Sequence, residues 1–157
     1  MMGWTATMAF WNDLTASILD PEGIKILEWI IGAIAFGRTD INKIIVLSGP
    51  PRSGKTTLTR IILQTLGADC PTLIFHDSPM KMNFDKFSIV ETNLPKNGFD
   101  IPKDNRFLVL ETHGHENDRK LLEPAYQMYM NWFEYNHWYI LNRCLQVYMD
   151  LGDDYIS

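Results

Sequence analysis

Lys43-Ile44-Ile45-Val46-Leu47-Ser48-Gly49-Pro50-Pro51-Arg52-Ser53-Gly54-Lys55-Thr56 decides how the rest of this chain is read. Lys43 to Leu47 is a short, apolar, β-branched run suited to a buried strand, and the Ser-Gly-Pro-Pro step ends that strand in a loop. Residues 49–56 fit G-x-x-x-x-G-K-[ST] in full, and Thr56 to Leu66 follows as a helix closed by Gly67. The order strand, glycine-rich loop, helix has a physical reason. Glycines permit a tight turn in which successive N–H groups face one anion, and the helix start adds the positive end of its dipole. Lys55 supplies an ammonium for the β and γ phosphates, and the Thr56 hydroxyl is the expected Mg²⁺ ligand. The expected nucleotide-binding set is Gly49, Pro50, Pro51, Arg52, Ser53, Gly54, Lys55, Thr56 and Thr57, a Walker A P-loop for ATP with Mg²⁺.

Upstream, Asp20-Pro21-Glu22 has the grammar of a helix start: an N-cap, proline at the first helical position and an acid at the positive end of the dipole. Ile24, Leu27, Ile30, Ile31 and Ile34 recur at helical spacing up to Phe36, and Gly37 is the expected C-cap. A shorter helix over Met8 to Leu19 precedes it. Downstream, Thr72 to His76, Phe87 to Glu91 and Arg106 to Glu111 read as strands, so strand and helix alternate as in an α/β fold with a parallel sheet. Arg119 to Leu151 reads as helix, broken or started near Pro124 and carrying Tyr126, Tyr129, Trp132, Phe133, Tyr135, Trp138, Tyr139 and Tyr148. The expectation is one P-loop NTPase domain over 1–157. It comprises a helical lead-in (1–40), an α/β nucleotide-binding core (41–115) and an aromatic helical C-terminal segment (116–157).

Composition sets the outer bounds. At 157 residues, 46% apolar and 21% charged, the chain has the makings of a packed core and is no disordered tail. A net charge of −5 excludes a broad basic face along a phosphate backbone. Basic residues outnumber acids only in 41–78, four to two, around the loop. Cys70 and Cys144 are too few for a disulfide scaffold and too far apart for a zinc knuckle, which points to reduced thiols and a cytoplasmic setting. The N-terminus lacks a basic n-region, and the most apolar stretch, Ile24 to Phe36, is short and interrupted by Lys25 and Glu28, so neither secretion nor a membrane span is expected.

A phosphate-binding loop working with Mg²⁺ needs an acid at the end of a neighbouring strand. Leu73-Ile74-Phe75-His76-Asp77 makes Asp77 the metal candidate, although Asp77-Ser78-Pro79 is also ordinary turn chemistry. No Glu follows Asp77, which leaves Glu91 or Glu111 to orient an attacking water. Asn93 falls at the C-terminal end of a strand, the edge where open α/β sheets bind ligands, and its amide there would hold the water or read the γ-phosphate. Alone, it is equally an Asx-turn before Pro95. His113 and His115 sit in a polar stretch that reads as a solvated loop rather than a metal site. The aromatic stripe from Tyr126 to Trp138 reads first as burial or a subunit interface, and only second as a base-stacking platform. Lys81, Lys86, Lys96 and Lys103 are the one route to a phosphate backbone, balanced against a salt-laced surface with Asp85, Asp100 and Asp104.

Three segments together resemble the superfamily 3 helicase group, in particular the helicase domains of phage, plasmid and poxvirus-like primase-helicases. They are the lead-in Asp20 to Gly37, the P-loop Gly49 to Thr56, and Ile89-Val90-Glu91-Thr92-Asn93, which is similar to that group's sensor strand ending in Thr-Asn. Asn105-Arg106 before an apolar strand is similar to the group's arginine segment and makes Arg106 the implied arginine finger. The resemblance covers about residues 20 to 112. It implies an ATP-hydrolysing, helicase-like protein of viral or mobile-element DNA replication, with single-stranded DNA and a homo-oligomer or larger replication complex as partners, placed in the host cytoplasm if viral. In that scheme Lys55, Asn93 and Arg106 are catalytic, and Thr56 with Asp77 holds Mg²⁺. Asn93 lies only 38 positions beyond Lys55, which leaves out the family's acidic pair and DNA-contacting hairpin. Two other readings stay open: a nucleotide-binding module that regulates a replication complex without turnover, and a small nucleoside or small-molecule kinase.

Overall fold

The computed structural model describes residues 3–51, 53–67, 72–75, 87–94, 106–113 and 116–156, with the backbone alone for 72–75, 116–130 and Glu134. Helices α1 (Trp4–Ile18) and α2 (Pro21–Phe36) lead into strand β1 (Ile44–Ser48), helix α3 (Lys55–Leu66), strands β2 (Thr72–Phe75), β3 (Ser88–Thr92) and β4 (Phe107–Glu111), and the long helix α4 (Glu116–Leu151). The four strands form one sheet in the order β2-β3-β1-β4, with every neighbouring pair parallel. The chain is thus an α/β fold with a parallel sheet, as its alternation of elements predicts.

Local chemistry explains the lead-in. The Asp20 carboxylate accepts from the Gly23 N–H at 2.7 Å, Pro21 opens α2, and Gly37 closes it in the left-handed region at φ 107°. Helix α1 starts at Trp4, four residues before the expected Met8. Its periodicity is masked by two buried threonines whose hydroxyls donate back into the helix, Thr7 to Gly3 O and Thr15 to Trp11 O, and so meet the core without an unpaired hydroxyl.

Apolar alternation along the strands splits the core. Ile45, Leu47, Ile89 and Leu110 lie on one face of the sheet and join residues from all four helices in the large cluster. Ile44, Val46 and Val90, on the other face, form a smaller cluster flanked by Phe107 and Val109. Helix α4 lies against α1, α2 and α3. At Gly32 the α2–α4 contact leaves no room for a side chain: a Cβ would stand 2.0 Å from the carbonyl oxygen of Cys144 and 2.8 Å from Cβ of Tyr148. Trp29 donates to Gly152 O at 2.8 Å and Trp132 to the Thr7 hydroxyl at 3.0 Å, tying the middle of α4 and the residue just past its C-terminal end to the lead-in.

Helix α4 does not break at Pro124; its backbone runs on and kinks at Asn136, φ −126° and ψ 19°. The Asn136 side-chain amide donates to Trp132 O at 2.9 Å, so asparagine competes with the backbone there and satisfies a carbonyl at the bend. The aromatic stripe divides around this kink. Phe133 packs edge-on to Trp11 in the core and Tyr148 against Trp29, while Tyr135 and Trp138 are exposed. Inside the helical layer, Glu28 is buried, accepts from Trp11 Nε1 at 3.1 Å and pairs with Arg143 at 3.5 Å. Burial pushes its carboxyl above the usual range, against the opposing pull of Trp11 and Arg143. No helix among the described residues is long and apolar enough to cross a membrane.

Candidate functional site

Because all four strands run in parallel, their C-terminal ends share one edge, and the residues that follow β1, β3 and β4 meet there. The loop after β1 carries Gly49, Pro50, Pro51, Ser53 and Gly54 and delivers Lys55, Thr56 and Thr57 to the first turn of α3. Gly49 N–H donates to Thr92 O at 3.2 Å, and Thr112 N–H to Ser48 O at 2.8 Å, which fastens the loop's root between the ends of β3 and β4. Two glycines are sterically fixed. A Cβ on Gly49 would stand 2.4 Å from Thr112 O, and Gly54 adopts φ 94°, the left-handed turn that starts α3.

Ser53 and Thr112 share a buried hydroxyl–hydroxyl bond of 2.5 Å, which couples the loop's crest to the end of β4. The Lys55 amine is buried and folds back over its own loop, donating to Gly49 O at 2.8 Å, Pro50 O at 2.7 Å and Ser53 Oγ at 3.2 Å. One cation is thereby concentrated above a left-handed turn at the open N-terminus of a helix, a combination of positive potential and N–H donors that suits a multiply charged oxyanion.

The acid at this edge is Glu91. It pairs in register with Leu47 of β1, lies on the sheet face that α3 covers, and is buried. Its Oε1 accepts from the Thr56 hydroxyl at 3.0 Å. A hydroxyl and a carboxylate side by side are hard oxygen donors of the kind Mg²⁺ takes, and the hydroxyl is on the same helix turn as Lys55. The residues present therefore fit a nucleotide with its metal. Sequence reasoning held Glu91 in reserve as a water-orienting acid and missed its pairing with Thr56. The missing signal is register: only the β1–β3 alignment brings position 91 level with the loop. Glu111, the other reserve acid, is exposed at the end of β4.

The remaining expected residues separate. Asn93 follows β3 at the same edge and is exposed. Arg106 precedes β4 at the opposite edge, where its carbonyl accepts from Ile44 N–H at 2.7 Å, a strand length of about 17 Å from the loop. It does not join Lys55 in this chain. Arg52, Asp77, His115 and the lysines at 81, 86, 96 and 103 lie outside the described residues. His113 is exposed, and no cluster of three His, Cys, Asp or Glu suited to a metal occurs among the described residues. No known family model and no curated protein matches the chain.

Proposed function

We propose that this chain is a P-loop nucleotide-binding protein that takes ATP with Mg²⁺ in the 49–57 loop and hydrolyses it as a helicase-like ATPase of viral or mobile-element DNA replication. The observation that carries the reading is the Thr56–Glu91 pair beside the buried Lys55 amine at the start of α3. Lys55 is already desolvated, so exchanging two carbonyl partners for phosphate oxygens replaces dipoles with charges at little further desolvation cost. Thr56 and Glu91 would hold Mg²⁺, which would supply Lewis-acid charge to the phosphates. Glu91 supports this from β3 in place of the acid expected at Asp77. Asn93, exposed at the same edge, offers its amide to an attacking water. Arg106, at the far edge, acts on a neighbouring copy's nucleotide in this reading, with single-stranded DNA as the effector the sequence resemblance implies.

The position of Arg106 favours a second reading for the isolated chain, nucleotide binding without turnover, because one copy gathers a binding set but not the arginine. The experiment that separates the two is binding of a fluorescent ATP analogue and ATP turnover, with and without single-stranded DNA, in the native protein, Lys55→Ala and Glu91→Gln. Binding lost in Lys55→Ala and Mg²⁺ dependence lost in Glu91→Gln support the site. DNA-stimulated turnover supports the helicase-like reading, and Lys55-dependent binding without turnover the second. Binding that ignores Lys55 overturns both.

A further inference from the structure

We infer that Ile18, at the C-terminal end of α1, is a positioning residue for the phosphate loop, so that docking of the lead-in helix and nucleotide binding are one coupled equilibrium. This rests on the nucleotide-binding reading of the 49–57 loop. A Cβ on Gly54 would meet Ile18 Cγ1 at 2.7 Å and Cδ1 at 2.8 Å, so the isoleucine side chain fills the space beside the glycine that a side chain there would need. Ile18 is buried, and its carbonyl accepts from the His113 N–H at 2.9 Å, one residue beyond the Thr112 that holds Ser53. The left-handed turn at Gly54 is therefore held by Ile18 on one contact and, through Ser53 and Thr112, by the end of β4 on another.

That turn aims the N–H groups that open α3. A glycine at φ 94° has a shallow conformational well and drifts unless its surroundings fix it, and oriented N–H groups bind an anion only while they converge. Ile18 supplies part of that fixing from an element that contributes no polar side chain to the site. Coupling is reciprocal: if α1 in place sharpens the loop, an anion in the loop holds α1 in place.

The test uses the full chain with Mg²⁺ and a fluorescent ATP analogue, comparing native protein, Ile18→Ala, the conservative Ile18→Val, and Trp29→Leu as a core truncation whose partners Tyr148, Gly152 and Tyr155 lie away from the loop. All are measured at a temperature where circular dichroism shows each folded. The expected result is binding weakened about tenfold in Ile18→Ala, recovered in Ile18→Val, and near native in Trp29→Leu. Amide exchange over α1 should slow on saturation with the analogue in native protein and respond little in Ile18→Ala. Native affinity in Ile18→Ala, equal weakening in Trp29→Leu, or α1 exchange unmoved by nucleotide overturns the inference alone. No binding by native protein overturns it together with the reading beneath it.

Discussion

Replacing Gly32 by alanine sets two well-known effects against each other. In an isolated helix, alanine is better than glycine by about 1 kcal/mol, so propensity alone predicts a gain. Here the new methyl would stand 2.0 Å from the carbonyl oxygen of Cys144, whereas a relaxed carbon–oxygen contact needs about 3.3 Å. The obstacle is backbone, so no rotamer change relieves it. Helices α2 and α4 must part by about 1 Å, and a gap of that size forfeits roughly a quarter to a half of the dispersion energy of the contacts around it. Overpacking of this kind costs about 1–3 kcal/mol, and the compact seam at Leu27, Ile31 and Tyr148 places Gly32 at the upper end. After subtracting the propensity gain, the net loss is about 2 kcal/mol, or a Tm lowered by roughly 4–8 °C for a chain of this length. Thermal unfolding followed at 222 nm, with urea unfolding as a second measure, reads it. An unchanged or raised Tm would mean that the two helices do not meet at Gly32, and the helical layer described above would be wrong.

Asp20→Ala removes the cap on Gly23 N–H and should cost about 1 kcal/mol, seen as a lower urea midpoint at constant m-value; no change would deny the cap. Glu28 predicts a pH dependence. With its folded value raised above the ordinary 4.5, the folded state keeps a proton that the unfolded state has lost, so this stabilising contribution is complete below 4.5 and disappears as pH rises through the folded value. Glu28→Gln should therefore differ most from native protein at neutral pH and converge on it with acidification; a difference that widens on acidification would contradict the burial of the carboxylate. Cys144 is fully buried with its thiol pushed up by desolvation, so in a Cys70→Ser background a thiol reagent should modify it only as fast as the protein unfolds. Thr112→Val removes the hydroxyl shared with Ser53 and should lower stability by about 1 kcal/mol, with a larger proportional loss in binding of the ATP analogue.

The parts legible in the sequence are those whose cause is local. Asp20, Pro21 and Gly37 announce α2 because capping acts within a turn, and the 49–56 spacing announces its loop because the backbone itself needs the glycines. Glu91 and Ile18 depend on partners 35 and 36 positions away, and no local pattern encodes strand register or the seat of a helix end. The kink has a visible signal that a stronger one outweighs: Pro124 is the expected breaker, although Asn136, with a side chain that competes for helical carbonyls, is the residue that bends α4. Threonines at 7 and 15 hid the true start of α1, since polar letters at core positions dilute an apolar period even when the hydroxyls are satisfied internally.

The pairing of α2 with α4 also shapes how the chain is made. The ribosome finishes α2 about eighty residues before it begins α4, so at roughly 5–20 residues per second the nascent chain waits several seconds with Leu27, Trp29, Ile30 and Ile31 lacking the helix that will cover them. The sheet can assemble in that interval, yet α2 keeps an oily flank bare until α4 emerges and closes over it. Synthesis of this protein therefore passes through a sticky intermediate defined by its own topology, and the burden on chaperones falls on α2 rather than on α4.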